Sequence, residues 1–138
     1  MSDVSVTQKR PDADIRADIH HMEKSYPPLA NDRHKVKFAV EDGVVTLSGY
    51  VKAPPTYNYV INSLKAITGI RSLDHSEFYC DEHLRLHVGA VLPSGVRVMV
   101  EYGAVVLTGT PPEGTKVEDI VREVGTVDGV HRVITDFS

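Results

Sequence analysis

A chain of 138 residues with 41% hydrophobic and 25% charged side chains has the composition of a packed globular protein and not of a disordered tail. It contains no run of about 18 apolar residues that would mark a membrane span, and its single cysteine, Cys80, rules out an intrachain disulfide or a CxxC metal site. The net charge of −4 is unevenly held: residues 1–75 carry ten Lys/Arg against nine Asp/Glu and residues 76–138 carry five against ten, so the halves come to +1 and −5 and nucleic acid is a disfavoured partner.

Residues 1–11 are polar and read as a flexible tail. Asp12-Ala13-Asp14 then supplies an N-cap and first-turn carboxylates, and Ile15, Ile19, Met22 and Tyr26 recur on one helical stripe that Pro27-Pro28 should stop. Leu29 to Arg33 is expected to be a connection. Val36, Phe38 and Val40 alternate with polar or small residues, as do Val45, Leu47 and Gly49, with Asp42-Gly43 between them. A two-residue Asp-Gly turn needs positive φ and sets the pairs Val40 with Val45, Phe38 with Leu47 and Val36 with Gly49, which places every apolar pair on one face. Pro54-Pro55 then breaks the chain, Tyr57, Val60, Ile61 and Leu64 form a second helical stripe, and Gly69 suits a left-handed C-cap before a third strand over residues 70–78.

Residues 81–92 are ambiguous between helix and strand, and helix is expected because Pro93-Ser94-Gly95 closes the segment before the next strand. Val96 to Glu101 and Val105 to Gly109 around Tyr102-Gly103 predict a second hairpin. Thr115-x-x-Glu118 reads as a capping box, Val117, Ile120, Val121 and Val124 as its helix, Gly129 as its C-cap and residues 130–137 as a last strand.

The second half of this order repeats the first. Sliding residues 36–74 by sixty positions superposes Val36, Val40, Glu41, Gly43, Val45, Leu47, Gly49 and Gly69 on Val96, Val100, Glu101, Gly103, Val105, Leu107, Gly109 and Gly129. The predicted fold is α+β: two tandem αββαβ units, residues 12–78 and 81–138, each a three-stranded sheet with two helices packed on one face. The opposite sheet face of unit two carries Met99 across from Val106, which makes these two the candidate contact between units or with a partner.

The element order, the run Asp-Gly-Val-Val-Thr-Leu-Ser-Gly at 42–49, its looser copy Tyr-Gly-Ala-Val-Val-Leu-Thr-Gly at 102–109, and Gly69 together resemble the BON domain, from about residue 12 onward. In that resemblance Asp42, Gly43, Gly49, Gly69, Gly103, Gly109 and Gly129 are structural motif residues. It implies a non-enzymatic tandem module without cofactor, associated with phospholipid or membrane surfaces, envelope proteins and stress tolerance, often periplasmic. The N-terminus has no apolar signal-peptide stretch, so the expected location is cytoplasmic, with peripheral membrane association. On this reading Lys9, Arg10, Arg33, Lys35 and Lys37 would contact anions, with Tyr57 and Tyr59 as amphipathic anchors.

Two other classes compete. One is an intracellular protein–protein or homo-oligomerisation module using sheet edges and the Met99/Val106 face. The other is a cation or small-ligand sensor, in which His83 and His87, four apart, would share a helix face beside Asp81 and Glu82. Ser48, Asp42, Asp74 and His75 supply the residue types of a catalytic triad, but Ser48 falls on a strand and Asp42 in a turn, without a nucleophile elbow.

Overall fold

The computed structural model describes residues 9–138. Of the expected tail, residues 1–8 lie outside the described residues, while Arg10 is docked on unit one, donating to Asp18 at 2.6 Å and to the Thr68 carbonyl at 2.9 Å. Unit one runs α1 (Asp12–Lys24), α2 (Pro27–Asp32), a 3-10 turn (Arg33–Lys35), β1 (Val36–Glu41), β2 (Val44–Val51), α3 (Pro54–Lys65) and β3 (Ser72–Cys80). Unit two runs α4 (Asp81–Gly89), β4 (Val96–Glu101), β5 (Ala104–Gly109), α5 (Val117–Gly125) and β6 (Arg132–Phe137). Each unit has one three-stranded sheet, in the order β1-β2-β3 or β4-β5-β6.

Both hairpins take the register their turns dictate. Val40 pairs with Val45, Phe38 with Leu47 and Val36 with Gly49, and the same pairs recur sixty residues later. Asp42 and Gly43 have φ of 52° and 79°, Tyr102 and Gly103 47° and 81°, the double left-handed geometry whose twist suits a two-residue hairpin. The third strand of each sheet lies parallel to the second, a pairing that needs a crossover, which α3 and α5 supply. In unit one this pairing shifts register between Thr46 and Ser48, because Asp74 folds back on itself, its Oδ1 accepting from the Ser76 N–H and hydroxyl. Unit two pairs without a shift.

Several local expectations are corrected. Pro27-Pro28 ends α1 but also opens α2: at N1 and N2 proline lacks only an N–H that would have no partner anyway, and fully buried Leu29 anchors the new helix. Asp12 does not cap α1; Pro11 holds the cap position. The Thr115/Glu118 capping box does not form, since α5 starts at Val117 after Lys116 with no side-chain cap bond. Gly69 and Gly129 are not C-caps. The caps are Ala66 and Thr126 in the right-handed region, and the glycines turn the chain three residues later with φ of 96° and 97°. The segment after Cys80 is helical, as expected, over Asp81–Gly89.

The two cores differ in size. Unit one buries thirteen clustered residues, among them Ile15, Leu29, Leu47, Val60, Leu64 and Phe78, whereas unit two clusters five: Val88, Val105, Leu107, Ile120 and Val124. A five-residue core is small for independent stability, so unit two leans on its neighbour. The junction allows this because there is no linker: Cys80 closes β3 and Asp81 opens α4.

Candidate functional site

The two units meet at a polar junction assembled from residues far apart in the chain. Asp81, at the start of α4 and 5% exposed, accepts the N–H groups of Tyr102 (2.6 Å) and Gly103 (3.1 Å), gripping the second hairpin turn. Asp12, at the start of α1, does the same for Asp42 (2.8 Å) and Gly43 (2.9 Å). The first-turn carboxylate is therefore a repeated structural device. Burial pushes the Asp81 carboxyl above its ordinary range, opposed by those two backbone bonds.

Three tyrosines join the units through their hydroxyls. Tyr50, from the end of β2, donates to the Gly129 carbonyl at 2.7 Å and lies over Gly103, where an added Cβ would come 2.4 Å from its ring. Tyr79, its parallel neighbour on β3, bonds Asp128 at 3.2 Å and covers Gly129 in the same way. The third comes from the opposite side. Tyr102, an aromatic residue held at positive φ, donates its hydroxyl to buried Asp32 at 2.8 Å, which also accepts from the Lys52 N–H at 3.2 Å. His34 meets the Tyr102 ring edge-on, and the ammonium groups of Lys35 and Lys52 stand 5.7 and 5.1 Å from its centroid. The helix and 3-10 turn over residues 27–35, which unit two lacks, supply most of this cage.

Burial and its bond to Asp128 push Tyr79 up to about 12, and burial with Asp32 pushes Tyr102 higher still, from an ordinary value of 10.0. A phenol whose folded pKa is raised stabilises the fold fully below its unfolded pKa and loses that contribution as pH climbs through the folded one. A spectrophotometric titration should therefore show late-ionising tyrosines, with the junction loosening between about pH 10 and 12. Six tyrosines ionising together near pH 10 would contradict it.

The expected anion-binding residues fall into two places. Lys9 pairs with Asp42 at 3.0 Å, beside Arg10 and Arg71, around a groove of about 640 Å³ at the first hairpin turn. Arg33, Lys35 and Lys37 lie at the other end of β1, roughly 17 Å away for a strand of this length. Lys52 joins them there. Tyr57 stacks on Phe78 at 4.9 Å and also meets His83 of unit two, while Tyr59 stacks on Tyr26 at 4.2 Å and donates to the Met22 carbonyl within unit one, so both rings are engaged in packing. Met99 is 66% exposed, and Val106, its partner across the hairpin, is half-buried. His83 and His87 line a groove of about 320 Å³ with His75, Cys80 and Asp128, and His83 packs edge-on against Tyr57. Among the described residues no three His, Cys, Asp or Glu side chains converge as a metal cluster.

Sequence reasoning missed Tyr50, Tyr79, Asp32 and Lys52, and gave Tyr102 only a turn and Asp81 only a place beside the histidine pair. One signal was present: Tyr102 stands where the first copy has Asp42, and a bulky residue at the first turn position costs about 1–2 kcal/mol of backbone strain unless its side chain is held elsewhere.

Residues 81–138 match the BON domain. The match covers unit two alone. No curated protein matches the chain in sequence. Among solved structures, CdsD, a structural protein of the Type III secretion system of Chlamydia trachomatis, is 14% identical with a TM-score of 0.38, over 90% of this chain and 91% of that one. The C-terminal domain of CdsD gives 12% identity and a TM-score of 0.40, over 99% and 98%. Likeness of that degree carries no argument about function. No helix among the described residues is long and apolar enough to cross a membrane.

Proposed function

We propose that the chain is a non-enzymatic binding module of two BON-type units, the first diverged from the family pattern and the second close to it, that docks peripherally on an anionic surface such as phospholipid headgroups. Support for the first unit as a BON unit comes from the sixty-residue repeat, the identical hairpin registers and the shared first-turn carboxylate.

The observation that carries the binding reading is the basic cluster at Tyr102, where Lys35 and Lys52 approach one ring, with Arg33 and Lys37 exposed two residues to either side of Lys35 in the chain. An anionic leaflet attracts each such cation by about 1 kcal/mol, so four amount to about 4 kcal/mol and a dissociation constant near 1 mM. Binding of that strength is reversible and salt-sensitive, as befits a peripheral module. Family resemblance supplies the wider setting of envelope maintenance and stress tolerance, and a membrane-peripheral location fits these features.

Vesicle co-sedimentation tests the reading. The protein is expected to sediment with vesicles containing anionic lipid at low salt, to release at high salt, and to lose most binding when Lys35→Glu and Lys52→Glu are combined. No sedimentation at low salt would remove the membrane reading.

A further inference from the structure

The outer face of the second sheet is a patterned surface that no element among the described residues covers. Its backbone register aligns three rows across β4, β5 and β6: Arg97, Thr108 and Asp136; Met99, Val106 and Ile134; Glu101, Ala104 and Arg132. The inward set, including Val105 and Leu107, packs under the helices, so the alternate set faces out. Met99 is 66% and Ile134 37% exposed, giving an apolar row that crosses the whole sheet. Unit one has Ala39, Thr46 and Asp74 in the same row, so the fold does not require apolar side chains there.

The corners of this face carry charge in a checkerboard. Arg97 and Asp136 end one outer row, and Glu101 and Arg132 end the other with the signs reversed. Among the described residues none of the four is in an ion pair. Laying a second copy face to face about a two-fold axis parallel to the strands sets Arg97 against Asp136 of the second copy, Glu101 against Arg132, Met99 against Ile134 and Val106 against itself. A two-fold axis across the strands also opposes unlike charges, Arg97 with Glu101 and Asp136 with Arg132. Either closed dimer is self-complementary.

We infer that this face is a homodimerisation surface whose partner is the same face of a second copy. A lipid partner fits it poorly, because its two positive and two negative corners cancel and unit two is acidic as a whole. Three strands by six residues offer a footprint of about 300 Å² per copy, well below the roughly 800 Å² per partner of a standard stable interface. The dimer is accordingly weak and transient.

Sedimentation velocity from low micromolar to about 1 mM protein, on the full chain without lipid, tests this. The wild type should move from monomer to dimer across that range. Met99→Asp, at an exposed site that leaves the fold intact by circular dichroism, should weaken association at least tenfold, as should Arg97→Glu. Adding Asp136→Arg to Arg97→Glu restores the dimer if the axis runs along the strands, and adding Glu101→Arg restores it if the axis runs across them. A monomer at 1 mM, a dimer indifferent to Met99→Asp, or failure of both rescues would overturn the inference. So would Met99→Asp abolishing vesicle sedimentation while leaving the oligomeric state unchanged.

Discussion

Asp81→Ala is expected to lower the unfolding free energy by about 2–4 kcal/mol, whereas Asp12→Ala, at the equivalent place in unit one, should cost about 1 kcal/mol. The two carboxylates make the same pair of bonds to a hairpin turn, but their surroundings differ. The Tyr102 and Gly103 N–H groups lie in a partly to fully buried junction, so removing Asp81 strands donors that water cannot easily reach. At Asp12 the Asp42 N–H is exposed, and solvent can take over much of the bond. Removing Asp81 also frees the backbone of Tyr102, whose left-handed conformation depends on being held at both ends. Asp81→Asn, which keeps one carbonyl acceptor, should fall about midway. Urea unfolding of the three variants measures this, and equal losses at positions 12 and 81 would show that burial at the junction does not matter.

Tyr50→Ala is expected to split thermal unfolding into two transitions while removing about 2–3 kcal/mol from the second unit. Wild type should unfold in one, because a five-residue core survives by sharing the junction with a thirteen-residue one. Tyr50 is central to that sharing: its hydroxyl bonds the Gly129 carbonyl, its ring covers Gly103, and it stacks with Tyr79 at 5.6 Å. Tyr50→Phe should retain most of the coupling, since the ring contact remains and only one hydrogen bond is lost. Calorimetry distinguishes these outcomes. A single transition in Tyr50→Ala, shifted as a whole, would mean that the direct β3-to-α4 connection couples the units without the tyrosines.

The hairpins, the α+β class and the repeated unit were all legible in the residues, and the reason is local. Asp42-Gly43 and Tyr102-Gly103 set turn geometry within two residues, turn geometry sets register, and a two-residue period then decides which side chains face the helices. Helix ends were less legible. Asp12 and Thr115 have the chemistry of caps, but a carboxylate or hydroxyl at a helix start can bond whatever backbone lies nearest, and for Asp12 that was a turn thirty residues away.

The candidate site was only half legible, for a related reason. Lys35 and Lys37 announce themselves as a charged run, whereas Lys52 joins them only because α2 and the hairpin bring two distant segments to the same ring. By itself the sequence determined two copies of one sheet topology, their registers and the apolar Met99/Val106 pair on an outward face. Tertiary structure alone decided that tyrosines and the buried Asp32 join the copies, that Ile134 completes the outward row, and that four charges frame it. Periodicity and turn chemistry act over a few residues and survive in one dimension, while a junction between units depends on distances that the chain defines only once it has folded.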